Sequence, residues 1–310
     1  MKARLKQVLW DASPALFNLV TKPRTGQRFS IGIYTGQSPL ALASSPDVRN
    51  PVLTREQVTD VPAAFVADPF MVRHAGVWYL FFEVLNTATG LGQIAVATSE
   101  DAREWTYARS VLAEPFHLAY PQVFEHDGHF YMVPDTPDKG VLLYRAVDFP
   151  LRWERVDTLL VGDRFSDSSV FEFEGSWWML TAWSLGSSNT KSLRMYFADQ
   201  PMGTWHEHPA SPVVAVNQRQ TRPAGRVVMN RGRLMRFAQD GFPEYGSRVR
   251  AFEILNLTRS MYCEREIRSG CAVLQGCGNG WNAGGMHHVD AHELDDGTWI
   301  ACVDGWRYTA

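Results

Sequence analysis

The sequence predicts an all-β fold, a five-bladed β-propeller whose ring is closed by N-terminal strands completing the C-terminal blade. Three observations lead there: a repeat that occurs five times, a turn glycine at a fixed place in each repeat, and an outer strand pair missing after the last repeat but present near the N-terminus. The repeats are DPFMVRHAGVWYLFFE from Asp68, YPQVFEHDGHFYMVPD from Tyr120, DSSVFEFEGSWWMLTA from Asp167, AGRVVMNRGRLMRFAQD from Ala224 and VDAHELDDGTWIACVD from Val289. Their turn glycines, Gly76, Gly128, Gly175, Gly232 and Gly297, stand 52, 47, 57 and 65 residues apart. That spacing is the length of one four-stranded blade.

Each repeat reads as a hairpin. An acidic residue or Arg before the glycine supplies the positive-φ turn between two antiparallel strands. Trp78, Tyr131, Trp178 and Trp299 open the second strand, where large rings fill the space between stacked blades. A second strand pair follows, from Ile94, Val141, Leu193 and Arg248, with Trp105, Trp153 and Trp205 recurring in register. The fifth repeat reaches Ala310 without such a pair, and IGIYTGQSPLALASSPDVRNPVLT from Ile31 supplies it, removing the exposed sheet edges. No stretch holds a 3.6-residue apolar period with caps, so no long helix is expected. One domain spans residues 1–310, with 1–27 an N-terminal extension that reads as a short amphipathic helix or a frayed end.

Composition narrows the function. Hydrophobic residues at 45% and aromatics at 12% supply a sizeable core, and a net charge of −3 gives no long-range pull toward nucleic acid. Asp11 and Pro14 interrupt the apolar stretch a signal peptide needs, and no 18-residue apolar run spans a membrane. A cytoplasmic protein without a transmembrane segment is expected, and peripheral membrane contact is compatible with it. Cys263, Cys271, Cys277 and Cys302 lack zinc-site spacing and read as free or buried thiols.

In a propeller, residues just before the first strand and just after the second converge at one mouth of the channel. The first set is Asp68, Tyr120, Asp167, Arg222 with Arg226, and His287 with His288; the second is Glu83, Asp135, Asp240 and Asp304, each seven or eight residues beyond its glycine. Carboxylates, guanidinium groups and imidazoles gathered at one mouth suit a polar ligand. The acids also suit a purely structural task, bonding turn amides, and Arg222 and Arg226 suit salt bridges to Asp167 or Asp240. Adjacent residues on a strand face opposite ways, so one of His287 and His288 is expected to meet the ligand. No metal set is assigned and no cofactor is expected, although a divalent or monovalent ion in the channel is compatible with these residues.

With Asp68-Pro69-Phe70 in the first blade and Asp167 opening the third, the chain resembles five-bladed propeller glycosidases of the arabinanase and β-xylosidase type. The resemblance implies a general base at Asp68 and a pKa-tuning, orienting role at Asp167. The general acid of those enzymes, a Glu opening the fourth blade, has no counterpart, because that blade opens with TRPAGR from Thr221. A closer resemblance covers nearly the whole chain. The runs NPVLT from Asn50, VADPF from Val66, EPFHLAYPQVF from Glu114, RPAGR from Arg222 and GMHHVDAHELDDGTWIACVDG from Gly285 look like the propeller at the N-terminus of plant glucosamine inositolphosphorylceramide transferases and of bacterial proteins given that family name. In the plant enzymes a separate transferase domain follows, and none is expected within these 310 residues.

A glycosidic alkoxide needs a proton as it leaves, whereas a phosphate needs only positive charge. The expected activity is therefore inverting glycosyl transfer from a phosphate-activated sugar, or its reverse, phosphorolysis. Asp68 would deprotonate a hydroxyl of a carbohydrate or lipid-linked acceptor, Asp167 would orient the sugar, Arg222 and Arg226 would stabilise the departing phosphate, and His287 or His288 would assist. The alternatives are glycoside hydrolysis, with Glu83, Asp240 or another carboxylate as displaced acid, and a non-catalytic glycan-binding propeller.

Overall fold

A computed structural model describes residues 26–184, 191–267 and 270–308. Residues 1–25 of the N-terminal extension, read as a short helix or a frayed end, lie outside these residues. Strands β1 (Gln27–Gly36) and β2 (Leu42–Ser44) precede the first blade, β3 (Ala63–His74), β4 (Val77–Asn86), β5 (Leu91–Ser99) and β6 (Thr106–Leu112). The second blade is β7 (Ala119–His126), β8 (His129–Asp135), β9 (Val141–Asp148) and β10 (Arg152–Leu160); the third is β11 (Phe165–Phe173), β12 (Ser176–Ser184), β13 (Lys191–Ala198) and β14 (His206–Glu207). The fourth has a broken inner strand, β15 (Arg222–Pro223) and β16 (Val228–Asn230), followed by β17 (Arg233–Asp240), β18 (Arg248–Leu257), β19 (Tyr262–Glu266) and the short β20 (Leu274–Gln275). The fifth joins β21 (Val289–Glu293) and β22 (Trp299–Tyr308) to β1 and β2, in the order β2-β1-β22-β21. Pairing from Gln27↔Tyr308 to Gly36↔Trp299 closes the ring with the two ends of the chain.

Five apolar clusters fill the five blade interfaces. One joins Ile31, Ile33 and Ile300 to Leu80 and Phe82, and another joins Val133 and Leu143 to Val170 and Met179. Trp78, Tyr131, Trp178 and Trp299 each lie in such a cluster, as their place after the turn predicts. The outer tryptophans cap the blades: the indole N–H of Trp105, Trp153 and Trp205 donates to the carbonyl of Ala102, Pro150 and Pro201. No disulfide forms; Cys263, Cys271 and Cys277 are exposed thiols and Cys302 is buried.

Four hairpins turn through two left-handed residues, Ala75-Gly76, Asp127-Gly128, Glu174-Gly175 and Arg231-Gly232. This is the turn whose twist matches the flanking strands. The first uses Ala75 where an acid or Arg was expected, and the fifth is left-handed at Gly297 alone.

A second repeated feature positions the site. In β3, β7 and β11 the register slips beside a left-handed residue: Asp68 (φ 51°), Tyr120 (φ 46°) and Asp167 (φ 52°). A bulge of this kind bends the strand and re-aims one side chain. In the fourth blade Gly225 (φ 131°) takes the left-handed position, and a β-carbon there would lie 1.7 Å from the Val289 carbonyl oxygen. Only glycine lets the fourth blade pass the fifth so closely.

Candidate active site

The three bulges and the segment before β21 deliver a cluster of buried ionisable groups to the channel. Asp68 is 5% exposed, and its Oδ1 has no hydrogen-bond partner among the described residues. Its backbone N–H donates to Asp304 Oδ2 at 3.0 Å. Asp304 Oδ1 accepts from His287 twice, from the backbone N–H at 3.2 Å and from Nδ1 at 2.8 Å. The other ring nitrogen, Nε2, lies 3.1 Å from the Tyr245 hydroxyl and 3.9 Å from Asp68 Oδ1. Phe29 of β1 stacks on the imidazole, 4.7 Å between ring centres, so the ring-closing strand also orients this histidine.

Burial sets the protonation of these groups and their charges correct it. Burial pushes the Asp68 carboxyl well above the ordinary range, with His287 opposing and Asp167 and Asp304 reinforcing the rise. For His287 burial disfavours the imidazolium, yet Asp304 overrides it and lifts the pKa to about 9. His288 lacks a comparable partner. Its ring is fully buried, both nitrogens are unpaired among the described residues, and burial lowers its pKa to about 4, leaving it neutral. Its Nδ1 sits 3.8 Å from Asp68 Oδ1, between the edge-on rings of Phe70 and Tyr120. Both histidines therefore lie near the same carboxylate; they precede β21, so the strand alternation expected to set them on opposite faces does not govern them.

Asp167 has the opposite surroundings. Arg222 grips both its oxygens through Nε and Nη2, and Gln239 Nε2 donates to Oδ2 at 2.7 Å. Burial alone would raise this carboxyl, but the guanidinium holds it below the ordinary range. Arg222 lies under the Tyr245 ring at 5.5 Å. Lys191, at the start of β13, donates to Ser166 Oγ at 2.6 Å, and burial with Arg222 nearby lowers its pKa to about 8. Asp135 is buried without a hydrogen-bond or ion-pair partner among the described residues, and burial with Asp167 nearby raises it to about 7. Glu83 Oε1 lies 3.3 Å from His117 Nε2, an interaction that raises His117.

Three residues expected to meet a ligand are placed elsewhere. Tyr120 is fully buried, and its hydroxyl accepts from the Gly225 N–H at 2.6 Å, tying the second blade to the fourth across the channel. Arg226 is bidentate to Asp290 and donates to the Met71 carbonyl at 3.1 Å, so it joins the fourth, fifth and first blades. Both side chains are engaged in contacts between blades. Asp240 is held by Arg250 Nε at 2.8 Å and by the Phe242 N–H at 3.0 Å. It is eight residues past its glycine; the strict spacing of seven that gives Glu83, Asp135 and Asp304 falls in the fourth blade on Gln239, which does reach Asp167. Gln239 was legible in that spacing, whereas Tyr245, Lys191, Phe29 and His117 sit where the repeat gives no signal.

Asp68, His287 and Asp304 offer ligand atoms within 4.8 Å of one another. A cation held by this set would take one ring nitrogen of His287 and displace the proton there, while the Nδ1–H bond to Asp304 would survive only if Nε2 were the ligand.

The fold is a five-bladed β-propeller, and it is similar to the fold of family-43 glycoside hydrolases. A thermostable family-43 glycoside hydrolase superposes with a TM-score of 0.60 at 14% identity, over 84% of this chain and 92% of that one. An exo-1,5-α-L-arabinanase from a bovine ruminal metagenomic library gives 0.54 at 18% identity, over 81% and 95%. In sequence the nearer likeness is different. Residues 22–306 match the family described as glucosamine inositolphosphorylceramide transferase 1, N-terminal, and the chain belongs to that family. It is 34% identical over 298 residues to glucosamine inositolphosphorylceramide transferase 1 of Oryza sativa subsp. japonica, covering 90% of this chain and 40% of the relative. The Arabidopsis thaliana protein of the same name is 32% identical over 303 residues, covering 91% and 39%. The chain thus spans about two fifths of the length of these relatives.

Proposed function

We propose that the propeller holds a phosphate-activated sugar and passes it, with inversion at the anomeric carbon, to a hydroxyl of an inositolphosphoryl-lipid acceptor. The relatives' name supplies the acceptor class. The observation that carries the reading is Asp68: a buried carboxylate with an unpartnered oxygen, aimed by a left-handed bulge and flanked by an imidazolium.

In the reaction Asp68 Oδ1 takes the acceptor hydroxyl proton. The acceptor oxygen bonds to the anomeric carbon from the face opposite the phosphate, and the bond to the phosphate oxygen breaks with its electron pair leaving on phosphate. A carboxyl raised toward working pH is a stronger base than an ordinary one. His287, held by Asp304, stabilises the ionised form of Asp68, and Asp167 with Arg222 presents fixed polar groups to the sugar hydroxyls. Neither aspartate needs a partner acid on the fourth blade, because phosphate leaves as an anion.

The test is direct. Nucleoside-diphosphate sugars and sugar 1-phosphates are supplied with inositolphosphorylceramide, and products are read by mass spectrometry and their anomeric configuration by NMR. Asp68→Asn is expected to lower turnover roughly 10²- to 10⁴-fold, with a product anomer opposite to the donor in the wild type. Turnover unchanged in Asp68→Asn removes the reading.

One observation favours hydrolysis as a second reading. Asp135, buried, unpartnered and lifted to about 7, has the properties of a carboxylic acid that protonates an alkoxide. Reducing sugar released from oligosaccharides, and abolished by Asp135→Asn, would establish it.

A further inference from the structure

Three buried polar atoms without a hydrogen-bond partner among the described residues lie together: Asp68 Oδ1 and the two ring nitrogens of His288. Oδ1 and Nδ1 are 3.8 Å apart. That is too long for a direct N–H···O bond, and it is a separation at which one oxygen set off the line between them lies about 2.8 Å from each. Buried donors and acceptors are paired as a rule, so the gap calls for a polar atom that the described residues do not supply.

Both sides of the gap are fixed. The edge-on rings of Phe70 and Tyr120, at 4.7 and 5.2 Å between centres, wedge the His288 imidazole. Its backbone neighbours are tied as well, the His287 N–H to Asp304 Oδ1 at 3.2 Å and the Val289 N–H to the Ala224 carbonyl at 2.8 Å. On the other side Asp68 is set by its left-handed backbone and by its own N–H bond to Asp304. Walls locked in this way hold a ligand atom in one place. The two histidines differ in what they have left to offer. His287 spends its ring nitrogens on Asp304 and Tyr245, whereas no protein group ties either nitrogen of His288, so nothing opposes the neutral tautomer with its proton on Nδ1. With Asp68 ionised, an atom in the gap has to give a proton to a carboxylate and accept one from an N–H. A hydroxyl does both; a phosphate or carbonyl oxygen has no proton to give, and an ammonium accepts none.

We propose that Asp68 Oδ1 and His288 Nδ1 form a two-sided cradle for the reacting hydroxyl of the acceptor, with His288 as its positioning residue. The hydroxyl donates to Oδ1 and accepts from Nδ1–H, which leaves the oxygen's second lone pair for the anomeric carbon. As the carbon–oxygen bond forms, the hydroxyl proton passes to Oδ1 and the Nδ1 proton stays on the ring, so His288 neither gains nor loses charge. The proposal rests on the sugar-transfer reading for what the hydroxyl attacks.

Binding and turnover are read separately. The histidine ring nitrogens are followed by NMR, with those of His288 assigned by their loss in His288→Asn. Addition of myo-inositol 1-phosphate, the acceptor's headgroup, is expected to shift the His288 nitrogens and leave the ring as the Nδ1–H tautomer, with no sugar donor present. In the transfer assay His288→Leu, which keeps the volume and removes the nitrogens, is expected to lower kcat/KM for inositolphosphorylceramide roughly 10- to 100-fold. His288→Asn, whose amide stands in for Nδ1–H, recovers part of the loss. Leucine also removes two unpaired buried nitrogens, so the melting temperature of His288→Leu is expected to equal or exceed that of the wild type. No product from the wild type, with the His288 shift intact, removes the sugar-transfer reading and leaves the hydroxyl cradle. The cradle is overturned if folded His288→Leu turns over the acceptor like the wild type, or if the headgroup leaves the His288 nitrogens unmoved.

Discussion

The first and third blades place an aspartate on the same backbone and give it opposite chemistry. Asp68 and Asp167 each stand eight residues before a turn glycine, each at a register slip, with φ of 51° and 52°, and both are buried. The neighbouring blades make the difference. The fourth blade gives Asp167 a guanidinium and an amide, so it stays ionised. The fifth gives Asp68 a neutral imidazole, an imidazolium beyond hydrogen-bond range and a carboxylate that binds its backbone rather than its side chain. Two like groups whose surroundings push their proton affinities apart are the usual mark of divided acid–base labour. A repeat makes equivalent places; the neighbours decide what each place does.

The sharpest way to break that comparison is to remove each carboxylate and measure folding. Asp167→Ala leaves the Arg222 guanidinium without its counter-charge, which for a buried pair costs about 3–5 kcal/mol. The lower end applies, because Arg222 keeps 24% side-chain exposure. Adding Arg222→Met to Asp167→Ala is expected to recover part of the loss. Asp68→Asn removes a charge with no hydrogen bond on one oxygen, and is expected to leave stability unchanged or higher while turnover collapses. Urea midpoints decide between the two behaviours; equal destabilisation by both variants would mean that the aspartates do the same structural work.

The pH dependence of stability sharpens the contrast at the level of roughly 1.4 kcal/mol per pH unit. Asp167, lowered in the folded state, contributes stability above the unfolded value of about 3.9 that is lost as pH falls through its folded pKa. Asp68 is raised, so the folded protein holds a proton that the unfolded chain has released. Its effect is a fall in stability as pH climbs from about 4 toward that raised value. Asp68→Asn should flatten this fall, so that the variant gains on the wild type as pH rises. His287 works the other way round: its stabilisation is complete below about 6.5 and fades as pH rises through about 9. Urea titrations of both proteins between pH 4 and neutrality, and again toward pH 9, resolve these limbs, and parallel curves would remove Asp68 as the group responsible.

Much of this was legible in the sequence because it rests on local rules. The blade count followed from glycines that must be left-handed, the ring closure from a missing strand pair, and Asp68, Asp167 and Asp304 from constant spacing. What the spacing could not reveal was direction. Arg222 and Arg226 are four residues apart and equally basic, yet the inner strand breaks between them and one pairs with Asp167, the other with Asp290. Tyr120 occupies the same bulge as the two aspartates, but its length carries the hydroxyl across the channel to Gly225. Phe29 and Tyr245 come from a ring-closing strand and a loop between strands, and they meet His287 only once the ring has closed.

The smallest effect tests whether the repeat, read strictly, locates the site. Gln239 is the fourth-blade equivalent of Glu83, Asp135 and Asp304, seven residues beyond its glycine, and its Nε2 serves two acceptors, Asp167 Oδ2 at 2.7 Å and the Pro223 carbonyl at 3.0 Å. Gln239→Leu keeps the volume and removes the donor, leaving the Pro223 carbonyl without that bond and Asp167 with Arg222 alone. The expected cost is about 1–2 kcal/mol, together with a higher pH for the loss of stability in acid, since Asp167 is then less strongly held ionised. Asp240→Asn, one residue along the same strand, should weaken the Arg250 contact and leave the Gln239–Asp167 bond in place. If Asp240→Asn moved the limb and Gln239→Leu did not, the spacing of eight, rather than seven, would mark the channel, and the equivalence between the first and third blades would not extend to the fourth.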